Sequence, residues 1–265
     1  MCYRISCVVE MKEVADLFPD LVFDEQIDMN FDAAVHIHGH NYGDHPIIYK
    51  NREDWKPHIK LMEWGCIPYR VTNEEAYSEY RKTMLVARSE KILDDPKSYW
   101  YEIKSRRCLI PLNGFYEHKA EAGFSHKIPY YIHLKHQSTF FVPGLYSVAE
   151  LEDKVTGKKE RRWTFAMITR AANSKMREIH NSGDFKWRMP LLLPFALADK
   201  YVRKNLSESE YREILNFEMP SEELDGWPVY TLGGVRPDGK EANDYYEWVK
   251  EPELPFEEYA FLISA

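Results

Sequence analysis

The stretch PYYIHLKHQSTFFVPGLYS, residues 129–147, decides the fold, because two short aromatic and β-branched runs flank a polar turn. A third such run, RWTFAMIT (162–169), follows the charged segment DKVTGKKERR (153–162), whose central Gly157 suits an exposed hairpin connection. These patterns predict strands at 129–134, 139–147 and 162–169, with the last two joined as a hairpin.

Helical patterns are fewer than strand patterns. NEEAYSEYRKTM, residues 73–84, begins with a capping asparagine and early acids and carries Tyr77, Tyr80 and Met84 at spacings of three and four. A second helix is predicted near Ser207, in SESEYREILNF. Because strands and helices do not alternate regularly, we predict an α+β fold of mostly antiparallel, coiled β-sheets with a barrel-like core and a few peripheral helices.

Composition indicates a globular protein of one domain, residues 1–265. Hydrophobic residues make up 44% of the chain and charged residues 29%, and no composition shift marks a boundary. Residues 241–265 form an acidic C-terminal extension, with seven carboxylates and one lysine between Glu241 and Ala260. No signal peptide or membrane-spanning pattern is evident, so we expect a cytoplasmic protein that is nucleoid-associated when bound to DNA.

Charge and cysteine usage narrow the function classes. The formal net charge of -8 argues against broad nonspecific binding to nucleic acid, so any DNA site must be a local basic patch. The cysteines show no CxxC pairing and are too sparse to staple a chain of this length, so we interpret them as reduced thiols. They are Cys2, Cys7, Cys66 and Cys108.

Cys2 stands directly behind the initiator methionine in MCYRISC, residues 1–7. Removal of Met1 would leave an α-amine and a thiol on adjacent carbons of one residue. The alternative, favoured by this stretch alone, is that Cys2 is a small buried hydrophobe at the start of a strand.

A carboxylate and several arginines lie in VARSE (86–90) and RRCLIPLNGFYEH (106–118). Gly114 permits a positive φ, so a turn there could present the carboxylate of Glu117. Alternatively, Glu117 pairs with an arginine on the surface. The arginines are Arg88, Arg106 and Arg107.

An isolated His180 precedes Arg188 by eight residues in TRAANSKMREIHNSGDFKWRMP, residues 169–190. Histidine is the side chain best suited to moving protons near neutral pH. The alternative is structural: SKMREIH forms a short helix with capping residues such as Asn173.

The histidine cluster HIHGHNYGDH supplies His36, His38, His40 and His45, which on a strand could bind zinc or nickel. Gly39 breaks the alternation, and no acid or cysteine partner lies at motif spacing. We therefore favour no metal and no cofactor.

Taken in order, the motifs resemble the SOS response-associated peptidase (SRAP) family, which senses abasic sites in single-stranded DNA. The resemblance runs from residue 2 to about residue 193. The matching runs are MCYR (1–4), EWGCIPYR (63–70), VARSE (86–90), RRCLIPLNGFYEH (106–118), PYYI (129–132), PGLYS (143–147), TRAAN (169–173), IH (179–180) and RMP (188–190).

The resemblance implies covalent capture of abasic sites. In the family, the α-amine of the N-terminal cysteine condenses with the aldehyde of the opened deoxyribose, and the thiol then closes a thiazolidine ring. By resemblance, Cys2 supplies both groups, while Glu117 and His180 carry protons. The same residues could reverse the crosslink or assist strand cleavage by β-elimination.

By the same resemblance, phosphates contact arginines and bases stack on two aromatic rings, the usual combination for single strands. A core tryptophan is an equally good interpretation of the first ring. The implied DNA-binding residues are Arg4, Arg88, Arg107 and Arg188, with Trp64 and Tyr69 as stacking faces.

Three departures from the family pattern bear on the site. Val86 replaces the family's asparagine, Tyr3 replaces a glycine after the cysteine, and SGDFKW lengthens the spacing between His180 and Arg188. Retention of Met1 would place the α-amine on the wrong residue.

Two other functions stay open. One is an N-terminal-nucleophile cysteine peptidase or amidase, whose activity could be limited to removal of Met1. The other is a noncovalent single-stranded DNA-binding module. In all cases we expect single-stranded DNA or a peptide as partner, no membrane, and a monomer.

Overall fold

The computed structural model describes residues 2–24, 33–152, 156–203, 205–233 and 236–250. Met1 and the end of the predicted acidic extension, residues 251–265, lie outside the described residues. The strands are β1 (Arg4–Cys7), β2 (Val22–Phe23), β3 (Ala34–His38), β4 (Asp44–Lys50), β5 (Pro57–Trp64), β6 (Val86–Arg88), β7 (Arg107–Leu112), β8 (Gly114–Lys119), β9 (Ile128–Leu134), β10 (Phe140–Glu152), β11 (Lys159–Ala171), β12 (Arg188–Pro190) and β13 (Leu224–Pro228). The helices are α1 (Met11–Leu17), α2 (Glu74–Arg81), α3 (Glu90–Asp94), α4 (Tyr99–Glu102), α5 (Ser174–Ile179), α6 (Phe195–Arg203) and α7 (Glu208–Asn216).

Five strands close into a barrel in the order β5–β4–β7–β10–β11. Neighbouring strands in this path are antiparallel, and the ring closes where β11 pairs with β5 in parallel, at Thr164 with Glu63 and at Phe165 with Trp64. A closed path leaves these strands without an exposed edge. The predicted α+β fold with a barrel-like core is therefore confirmed.

A second, five-stranded antiparallel sheet places the N-terminus beside β8. Its order is β13–β9–β8–β1–β3, and Ile5 of β1 lies opposite Phe115 of β8. Cys2 precedes β1 by two residues, and Glu117 follows Phe115 by two residues on β8. The pairing therefore brings the start of the chain to the strand that carries Glu117.

The three predicted strands are confirmed as β9, β10 and β11, but the hairpin arms are longer than predicted. β11 begins at Lys159, inside the segment assigned to the connection, and Glu150 lies opposite Arg161. The charged residues extend the hairpin because they face solvent and pair across strands, as Arg161 does with Glu150 (3.6 Å). The charged composition of residues 153–162 is therefore not sufficient evidence that the whole segment is a loop.

Both predicted helices are present, as α2 and α7. Ser207 caps α7 in a reciprocal arrangement with Glu210, which satisfies two backbone groups at the helix start. The Tyr80 ring of α2 is 68% exposed and stacks on Tyr77 (ring centroids 5.9 Å apart), so this ring does not face the core. Among the described residues no helix combines the length and apolar character that crossing a membrane would require.

Candidate functional site

Cys2 lies fully buried ahead of β1, at the centre of the candidate site. Burial raises the pKa of its thiol well above the ordinary value, and the negative charge of Glu117 raises it further. The positive charge of Arg188 acts in the opposite direction. The thiol, the carboxylate and the guanidinium are therefore close enough for their charges to interact, and we call the surroundings of Cys2 that include Glu117 and Arg188 the Cys2 pocket. Burial and the Glu117 charge keep the thiol protonated at neutral pH.

Glu117 is buried on β8, opposite Tyr130 of β9. Its position on a strand corrects the predicted turn. Gly114 has no positive φ; glycine is required there because a Cβ would lie 2.2 Å from the Tyr131 ring. Oε1 of Glu117 has no hydrogen-bond partner among the described residues, so the site holds a buried acceptor able to take a proton.

His180 ends α5, the short helix that the sequence predicts, and Asn173 caps that helix through its side chain. Nε2 of His180 lies 3.6 Å from Oε2 of Glu117, and Nδ1 lies 2.8 Å from the backbone oxygen of Arg188. Since a carbonyl only accepts, Nδ1 must donate, and Nε2 is the nitrogen that faces Glu117. The structure therefore brings together Cys2, Glu117 and His180, the three predicted catalytic residues.

Arg188 is held at the site from two sides. Its Nη1 and Nη2 donate to the two carboxylate oxygens of Glu90 at 2.6 and 3.1 Å, and Nη2 also donates to the Thr169 backbone oxygen at 2.8 Å. Burial raises the pKa of Glu90, but the hydrogen bonds and charge of Arg188 help to outweigh it, so that pKa is lowered. Nε of Arg188 is buried without a partner among the described residues, and is a donor available to a ligand.

Tyr3 and Arg88 lie at the same pocket. Burial, followed by the charge of Cys2, raises the pKa of Tyr3 to about 12, and Arg88 opposes that shift. The Tyr3 ring meets the edge of His40, with ring centroids 4.8 Å apart. Val86, at the position of the family's asparagine, is buried opposite Met167 and adds no polar contact.

Arg4 gives the pocket a cationic flank. Its Nη1 donates to Nε2 of His36 at 3.0 Å. Burial, followed by the charge of Arg4, lowers the pKa of both His36 and His118 to about 4. The charge of Lys127 lowers the pKa of His118 in the same direction. An anionic ligand would be favoured beside such a cluster.

Two exposed aromatic rings border the site on the segment between His180 and Arg188. Phe185 is 42% exposed and Trp187 is 48% exposed, and the Arg88 guanidinium lies 5.6 Å from the centre of the Phe185 ring. The Trp187 backbone NH donates to the His180 oxygen at 2.8 Å, which fixes the segment to the site. The aromatic residues in SGDFKW were the available signal, but the sequence analysis treated that stretch only as an insertion.

Trp187 adopts φ of 61°, a left-handed conformation that is rare for a bulky residue. Such conformations persist where surrounding contacts enforce them, and they cluster at functional sites. Asn181 fixes the start of the segment through two hydrogen bonds to the Ala120 backbone, at 2.8 and 2.9 Å. The rings therefore project from an anchored segment.

Trp64 is not a stacking face. Its ring is fully buried, stacks on Phe165 and donates from Nε1 to the Leu85 oxygen at 2.8 Å. The ring fills the barrel where β5 meets β11, so no face remains for a base. The core interpretation of Trp64 is the correct one.

Tyr69 and Arg107 line two cavities whose described lining residues include none of Cys2, Glu117 and His180. The Arg106 guanidinium lies 5.2 Å from the centre of the Tyr69 ring, which is 42% exposed. Arg107 lies over the rings of Tyr201 and Tyr211 at 5.5 and 5.6 Å. The predicted DNA-binding set is therefore divided between two surfaces and the core.

The four histidines of the cluster occupy β3, the turn after it, and β4. His45 is buried and makes edge contacts with the stacked rings of Trp64 and Phe165, and burial lowers its pKa to about 4. Within the described ranges no three or more histidine, cysteine or acidic side chains lie close enough to hold a metal ion.

Comparison with known proteins gives one consistent answer. The family model described as "SOS response associated peptidase (SRAP)" matches residues 1–233. Two relatives are 28% identical over 171 residues, 64% of this chain: the abasic site processing protein YoaM of Bacillus subtilis (68% of its length) and YoqW of Bacillus phage SPbeta (69%).

Solved structures agree with this match. A crystal structure of a protein from Bacteroides thetaiotaomicron superposes with a TM-score of 0.74 at 30% identity, covering 92% of this chain and 97% of that one. A protein from Bordetella bronchiseptica shares the fold, with a TM-score of 0.68 at 16% identity over 87% of this chain and all of that one. The chain therefore belongs to the SOS response-associated peptidase family.

Proposed function

We propose that this protein senses abasic sites in single-stranded DNA as part of the DNA-damage response, and captures them covalently through Cys2. The observation that carries the proposal is the buried group of Cys2, Glu117 and His180, in which one carboxylate oxygen has no partner among the described residues. The names of the bacillary and phage relatives, abasic site processing proteins, support the same substrate.

The chemistry requires that Met1 be removed, so that Cys2 carries the free α-amine. The amine adds to the aldehyde of the opened abasic sugar, and loss of one water gives an imine. The sulfur then adds to the imine carbon while the thiol proton passes to the nitrogen, which closes a thiazolidine. The adduct mass is that of protein plus DNA minus one water.

The surroundings of Cys2 order these steps. An α-amine has an ordinary pKa of about 8, so an appreciable fraction is nucleophilic at neutral pH. The raised pKa of the thiol keeps the sulfur protonated until the imine has formed. Glu117 is placed to accept the thiol proton, and Nε2 of His180 can exchange it, because Nδ1 is held as a donor by the Arg188 oxygen.

Recognition of the strand would combine charge with stacking. Arg4, Arg88 and Arg188 surround the pocket and suit phosphate groups, and Arg188 keeps a buried Nε donor for the ligand. Phe185 and Trp187 offer ring faces at the rim of the pocket. Unpaired bases can stack on such rings, which favours single-stranded over double-stranded substrates.

The two alternatives make different demands on Cys2. A cysteine peptidase uses the thiolate, and both burial and the Glu117 charge disfavour that form here. A noncovalent module needs only the arginines and aromatic rings. Crosslinking is therefore the function that uses the amine, the protonated thiol and the carboxylate together.

The test is intact mass of purified protein, incubated with a single-stranded oligonucleotide that carries one abasic aldehyde. The wild type should lack Met1 and gain the mass of the DNA minus one water. Cys2→Ala should form no thiazolidine, and Cys2→Ser should give only an imine that borohydride traps. An oligonucleotide with a tetrahydrofuran residue is the matched control, because it has no aldehyde.

Three outcomes would contradict the proposal. Retention of Met1 would exclude the reaction as written. Loss of Met1 without a Cys2-dependent adduct would favour the noncovalent module. Turnover of peptides that the abasic oligonucleotide does not inhibit would favour the peptidase. Strand cleavage, read from the same samples on a denaturing gel, measures any accompanying β-elimination.

A further inference from the structure

A second groove on the barrel concentrates positive charge. It encloses about 650 Å³ and is lined by four cations and one carboxylate, Glu150. Of these cations, Arg161 pairs with Glu150 at 3.6 Å. The whole chain carries a net charge of -8, so the sign of this lining differs from the net charge of the chain. The four cations are Arg52, Arg106, Lys159 and Arg161.

The groove continues into a neighbouring cavity of about 290 Å³. Both are lined by Arg52 and Tyr146, and the second adds Lys50, Trp55 and Arg107. No carboxylate is among the described residues that line this second cavity. Together they form what we name the basic groove: the two cavities joined at Arg52 and Tyr146.

Aromatic rings accompany the cations in the basic groove: Tyr69, Tyr146 and Trp163 line one cavity, and Trp55 lines the other. The two most exposed rings carry a cation each: Lys50 Nζ lies 4.9 Å from the centre of the Trp55 ring, which is 62% exposed, and Arg106 lies against Tyr69. Inside the groove, the rings of Tyr146 and Trp163 are stacked, with centroids 5.8 Å apart. Cations along a groove together with exposed ring faces are the usual combination for single-stranded nucleic acid.

The basic groove is separate from the Cys2 pocket but lies along the same strand. Trp163 lines the groove, whereas Thr169, six residues further along β11, accepts the hydrogen bond from Arg188. At about 3.3 Å per residue, the two positions are about 20 Å apart. A strand with the ~3.4 Å rise of helical DNA would cover that distance with about six nucleotides.

We propose that the basic groove binds the same DNA strand several nucleotides away from the abasic site. This inference rests on the proposed function for the identity of the strand, while the groove itself rests on charge complementarity with phosphates and on the ring faces. In this proposal Tyr69 stacks on a base in the basic groove, not on a base at the Cys2 pocket. The protein would thus hold a continuous single strand at two points.

The experiment measures binding of intact oligothymidylates of 6 and 20 nucleotides by fluorescence anisotropy at several salt concentrations. A longer strand binds somewhat more tightly simply because it offers more positions at which the protein can bind. Wild type should bind the 20-nucleotide strand at least tenfold more tightly than this statistical effect explains. The double variant Arg52→Glu/Arg161→Glu should lose this advantage, with a salt slope shallower by about 1.4, since each lost phosphate contact on a single strand contributes about 0.7. The control, Lys12→Glu/Lys240→Glu, makes the same charge change at exposed positions outside the groove.

Crosslinking of a 6-nucleotide abasic strand separates this proposal from the proposed function. With the abasic site at its centre, that strand extends about three nucleotides, roughly 10 Å, to either side, which is half the distance to the groove. The double variant should therefore crosslink it at the wild-type rate. If wild type crosslinks neither this strand nor a 20-nucleotide abasic strand, the proposed function fails, while the length dependence with intact DNA still tests the groove.

Two results would overturn the inference. One is a double variant that keeps the length advantage within twofold while its melting temperature is unchanged. The other is equal loss of affinity for duplex DNA, which would identify a general phosphate surface instead of a single-strand groove. Trp55→Ala is the second variant: it removes an exposed ring without changing charge, and should weaken binding of the longer strand at least fivefold.

Discussion

Arg188 and Glu90, which lie 98 residues apart in the sequence, form a two-point ion pair with N–O distances of 2.6 and 3.1 Å. The pair joins the RMP motif to the VARSE motif. The Arg188 backbone oxygen also fixes the His180 ring. Arg188 therefore contacts Glu90 through its side chain and His180 through its backbone oxygen. Its planar guanidinium makes both contacts of the ion pair possible.

Arg188→Lys should slow crosslinking almost as much as Arg188→Ala, by roughly tenfold or more. Lysine keeps the charge but cannot donate in parallel to both oxygens of Glu90 and also keep a donor for the ligand. The measurement is the single-turnover crosslinking rate on an abasic oligonucleotide. Arg212→Lys is the control, because Arg212 makes its ion pairs at the surface with Asp94 and Glu208. A lysine variant with the wild-type rate would show that charge alone suffices.

The fold could be predicted because its strands are short and strongly patterned, but its closure could not. The barrel closes where β11 meets β5 in parallel, at Thr164 and Glu63, and no local pattern signals a pairing between strands so far apart in sequence. The start of β11 was predicted too late in the sequence, because its charged residues resemble a loop. They form a strand because the hairpin extends beyond the barrel into solvent. Local chemistry identifies a strand; tertiary contacts determine where it ends.

The site divides in the same way. Cys2, Glu117 and His180 were predicted from motif resemblance, and the structure brings them together. Trp64 and Tyr69 are both aromatic residues of the motif EWGCIPYR, and the sequence predicts the same role for both. The Trp64 ring is fully buried, whereas Tyr69 is 42% exposed. That difference arises from packing at the barrel closure, which residue type and spacing do not encode.

Glu117→Gln should slow thiazolidine formation by roughly 10²- to 10⁴-fold, the usual contribution of a positioned acid–base group. The same change should lower the pKa of the Cys2 thiol, because the negative charge that raises it is lost. Thiolate absorbance during a pH titration measures the second effect, with Cys2→Ala subtracted to remove the other thiols. Noncovalent affinity for the strand should not fall.

A rate within threefold of wild type would remove Glu117 from the mechanism. An unchanged pKa of the Cys2 thiol would show that the charge of Glu117 does not affect its ionisation. Either result is interpretable because the amide is nearly the same size as the carboxylate and leaves the packing of β8 intact.

Acid should destabilise the protein through His45. Its folded pKa is about 4, below the ordinary 6.5, because burial disfavours the charged ring. Stability from this residue is present above pH 6.5 and is lost as the pH falls through 4. At about 1.4 kcal/mol per pH unit, the loss by pH 4 is roughly 3 kcal/mol.

His45→Phe should remove that part of the acid sensitivity, since phenylalanine does not titrate and can keep the edge contacts with the Trp64 and Phe165 rings. The measurement is the free energy of unfolding in urea from pH 7 to pH 4, for wild type and variant. His126→Phe makes the same substitution at an exposed position and should leave the acid dependence unchanged. Equal slopes for wild type and His45→Phe would show that other groups cause the acid loss.

The last prediction concerns the rings beside the pocket. Phe185→Ala and Trp187→Ala should each weaken noncovalent binding of a single-stranded abasic oligonucleotide by about 5- to 150-fold, because stacking of a base on an aromatic ring is worth about 1–3 kcal/mol. Anisotropy with Cys2→Ala as the background isolates binding from crosslinking. Tyr80→Ala removes an exposed ring on α2, away from the pocket, and is the control.

Fluorescence of 2-aminopurine placed beside the abasic site distinguishes stacking from a structural effect. The probe should be quenched on binding to the Cys2→Ala background and not on binding to the Trp187→Ala variant of it. Trp187→Gly separates strain from contact: glycine tolerates the left-handed backbone at φ of 61°, so the anchored segment should persist without the ring. If this variant quenches the probe as well as its background does, the base does not stack on Trp187.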